Sequence, residues 1–66
     1  MQVLINGKPG ELAEGAHVSD ALVALGVRAT GVAVAVDGAV VPRAEWPRTP
    51  LVEGARVEVL TAVQGG

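Results

Sequence analysis

The chain opens on a pattern close to strict alternation. In "MQVLIN", Met1, Val3 and Ile5 fall on one face of an extended segment. Asn6-Gly7 follows, the dipeptide that favours a tight hairpin, and "NGKPG" as a whole is turn chemistry. "GELAEG" then pairs back as a short second strand with Leu12 pointing inward. In "HVSDALVALG" the period changes. Val18, Ala21, Leu22 and Leu25 stand at i, i+3, i+4 and i+7, which aligns them on one helical stripe. His17 or Ser19 caps the start of this helix, Asp20 complements its dipole, and Gly26 is placed to end it in a left-handed conformation. So short a helix is marginal alone and must dock on a sheet.

Period two returns in "GVAVAVDGAVVPR". Val32, Val34 and Val36 alternate with alanines, Asp37-Gly38 makes a second hairpin turn into "AVV", and Pro42 ends that strand. "RAEWPRTPLVEG" has two prolines and no clear period, and reads as an irregular connection with one helical turn around "RAEW". Glu53-Gly54 turns the chain into "ARVEVLTAV", where Val57 and Val59 face one way and Glu58 the other. The order is strand, strand, helix, strand, strand, strand. One helix across one face of a mixed sheet of four to five strands is an α+β arrangement. The β-grasp, or ubiquitin-like roll, has this order, with the first and last strands parallel at the centre of the sheet.

Composition narrows what such a domain can be. Sixty-six residues make a single unit, read here as a domain over 1–63 and a tail over 64–66. The core must be assembled from small aliphatic pieces, because Trp46 is the only aromatic residue. There is no cysteine, hence no disulfide, thiolate metal site or thiol nucleophile, which together with the absence of a signal-peptide pattern points to the cytoplasm. The longest apolar run, "TGVAVAV", is too short to span a bilayer. A net charge of −2 with dispersed basic residues is a poor footprint for nucleic acid. A monomer is expected.

Catalytic and metal-binding chemistry is hard to find. The carboxylates Glu11, Glu14, Asp20, Asp37, Glu45, Glu53 and Glu58 fall largely at turns or at the helix start, and a catalytic pair would need a shared cleft. His17 is the single histidine and reads as a surface residue at the helix entrance. Ser19 lacks an elbow motif, and "GKPGELAEG" lacks the Lys-Ser or Lys-Thr of a phosphate loop. Trp46 reads as a ring sealing the rim of the core with its N–H on a nearby carbonyl, the competing role being a partner contact.

The chain ends in "TAVQGG". Two residues without Cβ atoms can extend into a channel too narrow for any other residue. The reactive group this implies is the terminal carboxylate itself, with the fold as its handle. At this point the sequence resembles a known family, the ThiS sulfur carriers of thiamine biosynthesis, which are ubiquitin-like β-grasp proteins. The resemblance runs the whole length and rests on "MQVLING", "HVSDALVALG", "VAVAVDGAVVPRAEW" and "VEGARVEVLTAVQGG". "VPRxxW" with a terminal "QGG" carries most of its specificity. His17 departs from it, standing where a hydroxyl residue is expected at the helix cap.

The resemblance implies a carrier, not an enzyme, with no bound cofactor and no catalytic or metal-binding residue of its own. A ThiF-like activating enzyme would use ATP to adenylate the carboxylate of Gly66. Sulfur drawn from cysteine through a persulfide, by way of a sulfurtransferase or cysteine desulfurase, would then give a C-terminal thiocarboxylate. A ThiG-like thiazole synthase would take that sulfur for the thiazole ring. Gly65 and Gly66 would enter the partners' active sites, aimed by Gln64. Docking is expected on the sheet face away from the helix, at Leu4, Leu60 and Ala62, with Arg43 as a further candidate. Alternatives are the small subunit of molybdopterin synthase, which shares fold and diglycine, ubiquitin-like conjugation, and an interaction module with an inert tail.

Overall fold

In the computed structural model, which describes residues 1–28 and 30–61, strands β1 (Gln2–Ile5) and β2 (Lys8–Glu11) form the first hairpin. Asn6 and Gly7 both have positive φ, 51° and 81°, the backbone of a tight turn whose twist matches that of the strands. Pairing therefore resumes at once, Ile5 opposite Lys8, and β2 begins earlier than the expected "GELAEG". Pro9 is accommodated because β2 is the outermost strand, where a missing donor faces no neighbour. Leu12 follows β2 and is buried as expected.

Helix α1 (Val18–Leu25) places Val18, Ala21 and Leu22 in the core. His17 is the residue before its first turn, and the Asp20 carboxylate accepts the His17 N–H at 2.8 Å, half of a capping box. Ser19 lies inside the helix and not at its cap. Gly26 at φ 70° ends it: its N–H reaches the Val23 carbonyl and the Val27 N–H reaches that of Leu22, each at 3.0 Å. This closure turns the chain inward at Val27, which packs against the core. Leu25, the expected fourth member of the stripe, is 42% exposed in consequence, since the helix ends at that residue.

Strands β3 (Val32–Val36) and β4 (Ala39–Val41) form the second hairpin around Asp37-Gly38, again with positive φ at both. A 3₁₀ helix over Arg43–Arg48 packs Trp46 into the core, and β5 (Arg56–Thr61) closes the fold. The sheet order is β2-β1-β5-β3-β4. β1 and β5 are parallel neighbours at its middle, and β5 pairs antiparallel with β3 on its other flank. The fold is thus the α+β roll expected from the order of elements. Its core lies between the sheet and the helical side, and Val3, Val34, Val57 and Val59 supply the sheet's share. Among the described residues no helix is long and apolar enough to cross a membrane.

Candidate functional site at the end of the central strand

The last strand is the best-anchored element of the sheet. Its start is held by Asp37, whose backbone N–H donates to the Arg56 carbonyl at 2.8 Å while its carboxylate accepts the Arg56 N–H at 3.0 Å. On the β1 side, Leu4 N–H donates to Ala55 O and Asn6 N–H to Val57 O, at 2.8 and 2.9 Å. On the β3 side, pairing runs from Val57 opposite Val36 to Thr61 opposite Val32. Val57 and Val59 are buried, as the alternation predicts, and drive the strand onto the core.

The opposite face of the sheet is open. Strand alternation puts Arg56, Glu58 and Leu60 there, with Leu4 on β1, Ala33 and Ala35 on β3 and Val40 on β4. Leu60 is 68% exposed and lies opposite Ala33, while Val40 is 77% exposed and lies opposite Ala35. Leu4 is also exposed but is registered with Arg56, four residues before Leu60, or roughly 13 Å along the strand. Leu4 instead borders a concavity shared with Asn6, Gly7, Arg56 and Glu58. The face therefore has an apolar portion around Leu60, Ala33, Ala35 and Val40, bordered by the exposed Glu58 opposite Ala35, and a polar-rimmed portion around Leu4.

Of the expected docking residues, Leu4 and Leu60 are on the open face, and Ala62 lies outside the described residues, as do Gln64, Gly65 and Gly66. Arg43 is exposed at the start of the 3₁₀ helix. β4 runs antiparallel to β3, so the end of β4 that leads to Arg43 is at the same end of the sheet as Thr61. The sequence reading missed Ala33, Ala35 and Val40. The signal was the alternation "VAVAV" itself: with Val32, Val34 and Val36 inward, the alanines had to face out, next to whatever β5 presented.

The acidic residues are largely occupied with the backbone. Asp20 caps α1, Asp37 holds Arg56, Glu53 accepts the Gln2 N–H at 3.0 Å, and Glu11 accepts from the Met1 ammonium at 2.9 Å. His17 Nδ1 stands 3.7 Å from the Asp20 carboxylate, at the partly exposed helix entrance. Trp46 is buried, with its indole N–H on the Val41 carbonyl, as the structural reading required.

Comparison with known proteins gives a consistent result. The model of the ThiS family matches residues 3–66. The sulfur carrier protein ThiS of Escherichia coli (strain K12) is 30% identical over 66 residues, covering the whole of both chains. The crystal structure of the thiamine biosynthesis protein ThiS from Geobacter metallireducens superimposes with a TM-score of 0.86 at 36% identity, covering 100% of each chain. A solution structure of a thiamine biosynthesis protein from the same organism gives 0.83, also at 36% identity, covering all of this chain and 88% of the other.

Proposed function

The chain belongs to the ThiS family, and on that premise we propose that it is a sulfur carrier of thiamine biosynthesis whose cargo is bound as a thiocarboxylate at Gly66. The observation that carries this reading is that β5, the strand leading to Gln64-Gly65-Gly66, is the central strand, held on both flanks. A carrier needs a rigid base from which its reactive end is presented, and a central strand is the most constrained place in a sheet from which to start.

A carboxylate is a poor acyl donor, because displacement would expel oxide. Attack of the Gly66 carboxylate on the α-phosphorus of ATP, in an adenylating partner, expels pyrophosphate and leaves an acyl-adenylate. The terminal sulfur of a partner's persulfide then attacks the carbonyl carbon and expels AMP, leaving an acyl disulfide. A second thiol of the sulfur-delivering partner cleaves that S–S bond, becoming disulfide-bonded itself and releasing the C-terminal thiocarboxylate. The thiocarboxylate sulfur is a soft nucleophile, and thiazole synthase is the partner that consumes it. The protein is acted upon and does not catalyse, so it needs no acid–base pair or bound metal of its own. The open sheet face around Leu60, Ala33, Ala35 and Val40 supplies the apolar contact with these partners, with Leu4 and Arg43 nearer its margins. The reactions belong to the cytoplasm, where ATP and cysteine-derived persulfide are available.

Intact mass tests the reading. After incubation with ATP, a ThiF-like activating enzyme and a sulfur source, the chain gains about 16 mass units, and a chain lacking Gly66 gains none. An unchanged mass for the full chain, under conditions in which a known carrier is converted, overturns it.

A further inference from the structure

β1 leaves the sheet at Asn6, where φ is 51° and the chain turns back toward β2. Backbone groups of β5 beyond Val57 thereby lose their neighbour on that flank, since alternate residues, 55, 57 and 59, point their N–H and C=O toward β1. The Asn6 side chain replaces the missing strand. Its Oδ1 accepts the Val59 N–H at 2.8 Å and its Nδ2 donates to the Val59 carbonyl at 3.2 Å. A carboxamide is chemically a peptide group, so one side chain extends the parallel ladder by a residue. Aspartate could supply only the acceptor, and glycine neither, although both tolerate a left-handed backbone.

We propose that Asn6 is a positioning residue for sulfur transfer: by pairing both backbone groups of Val59 it fixes the last core residue of the strand that delivers the reactive terminus, before any partner is met. The proposal rests on the carrier reading above. Seven residues follow Val59, the last of them Gly66, and any displacement of β5 at Val59 is passed on to the start of that run. Holding that point on both flanks lowers the cost of fixing the end of β5 when a partner takes up the terminus, which is a gain in affinity and not in the chemical step. The role is separable from the turn, because glycine keeps the turn and removes the amide.

The experiment compares the full-length chain with its Asn6→Gly and Asn6→Asp variants. Val59 amide hydrogen exchange is read by NMR, and ATP–pyrophosphate exchange with the adenylating partner is titrated against carrier concentration. For Asn6→Gly the expected result is Val59 exchange accelerated about tenfold or more, with KM for the carrier raised about three- to tenfold and kcat within about twofold. Asn6→Asp, which keeps the acceptor, falls between Asn6→Gly and the unmodified chain on both measures. The proposal is overturned if Val59 exchange does not accelerate, if KM stays constant while exchange accelerates, or if kcat alone falls. Should Asn6→Gly fail to fold, Asn6→Asp decides, and a KM within error of the unmodified chain overturns the proposal. If the unmodified chain is itself not adenylated, the carrier reading fails and the role of Asn6 falls with it. An adenylated unmodified chain with an indifferent Asn6→Gly variant removes the role of Asn6 alone.

Discussion

The indole N–H of Trp46 donates to the carbonyl of Val41 at 2.9 Å, tying the 3₁₀ helix to the last residue of β4. Between them lies Pro42, which ends the strand and precedes the helix. Trp46 also accounts for the only aromatic volume in a core otherwise made of Val, Leu and Ala. Trp46→Ala therefore leaves a large cavity and an unpaired carbonyl, at a cost of about 3–5 kcal/mol. That is much of what a domain this small has. Trp46→Phe loses the hydrogen bond but fills most of the space, costing about 1–3 kcal/mol for the orphaned acceptor. Urea unfolding followed by circular dichroism ranks the three chains; an Ala variant as stable as the Phe variant would contradict the packing role.

What the sequence told about this fold, and what it withheld, follows from the range of the interactions involved. The turns at Asn6-Gly7, Asp37-Gly38 and Gly54, the α1 stripe through Leu22 and the inward Val57 and Val59 are short-range patterns, and they were readable. The order of elements sufficed for the parallel β1–β5 pairing, because a β-grasp admits few alternatives. Contacts that depend on register were not readable. The separation of Leu4 from Leu60, and the joining of Leu60 to Ala33, require knowing that Leu4 faces Arg56 and Ala33 faces Leu60. The pairing of Asn6 with Val59 spans 53 positions, and within the sequence Asn6 looked fully explained by its turn. The early start of β2 and the outward Leu25 are matters of where an element ends, decided by tight closures at Gly7 and Gly26.

Asp20 carries the cap of α1, since the His17 N–H is satisfied by its carboxylate at 2.8 Å. The helix has only eight residues, so one lost cap is a sizeable fraction of its local stability. Asp20→Ala lowers unfolding free energy by about 0.3–1.5 kcal/mol, read as a lower urea midpoint with an unchanged slope. Asp20→Asn retains an acceptor and loses less. Equal losses for the two would show that charge at the helix start matters more than the hydrogen bond.

The Met1 ammonium sets an alkaline limit. It donates to the Glu11 carboxylate at 2.9 Å and to the Leu12 carbonyl at 2.7 Å, with Glu14 at 3.4 Å. The Glu11 hydrogen bond is the largest cause of a pKa raised above the ordinary 8.0, partly offset by desolvation, with the charges of Glu11 and Glu14 adding to it. A group held charged in the folded state binds its proton more tightly there than in the unfolded chain. Its stabilisation is complete below pH 8 and declines as pH rises through the folded pKa. The urea midpoint of a chain beginning at Met1 falls between pH 7 and pH 10, and Glu11→Gln reduces that fall. Parallel pH profiles for the two chains would exclude the terminal ammonium as the cause.

Leu60→Glu tests the open face as the docking surface. Leu60 is 68% exposed and its neighbour across the strand is Ala33, so the substitution leaves the core intact and unfolding free energy changes by less than about 0.5 kcal/mol. A charge in the middle of an apolar contact must be desolvated without a partner. The expected result is a decrease of about tenfold or more in kcat/KM for adenylation, equivalent to about 1.4 kcal/mol of lost binding. Val23→Glu is the matched control, being 79% exposed but on α1, on the other side of the sheet. It introduces the same charge into the same small protein, so any effect of net charge on encounter appears in both. Loss in Leu60→Glu with little change in Val23→Glu assigns docking to the open face; equal losses point to net charge, and equal retention removes Leu60 from the interface.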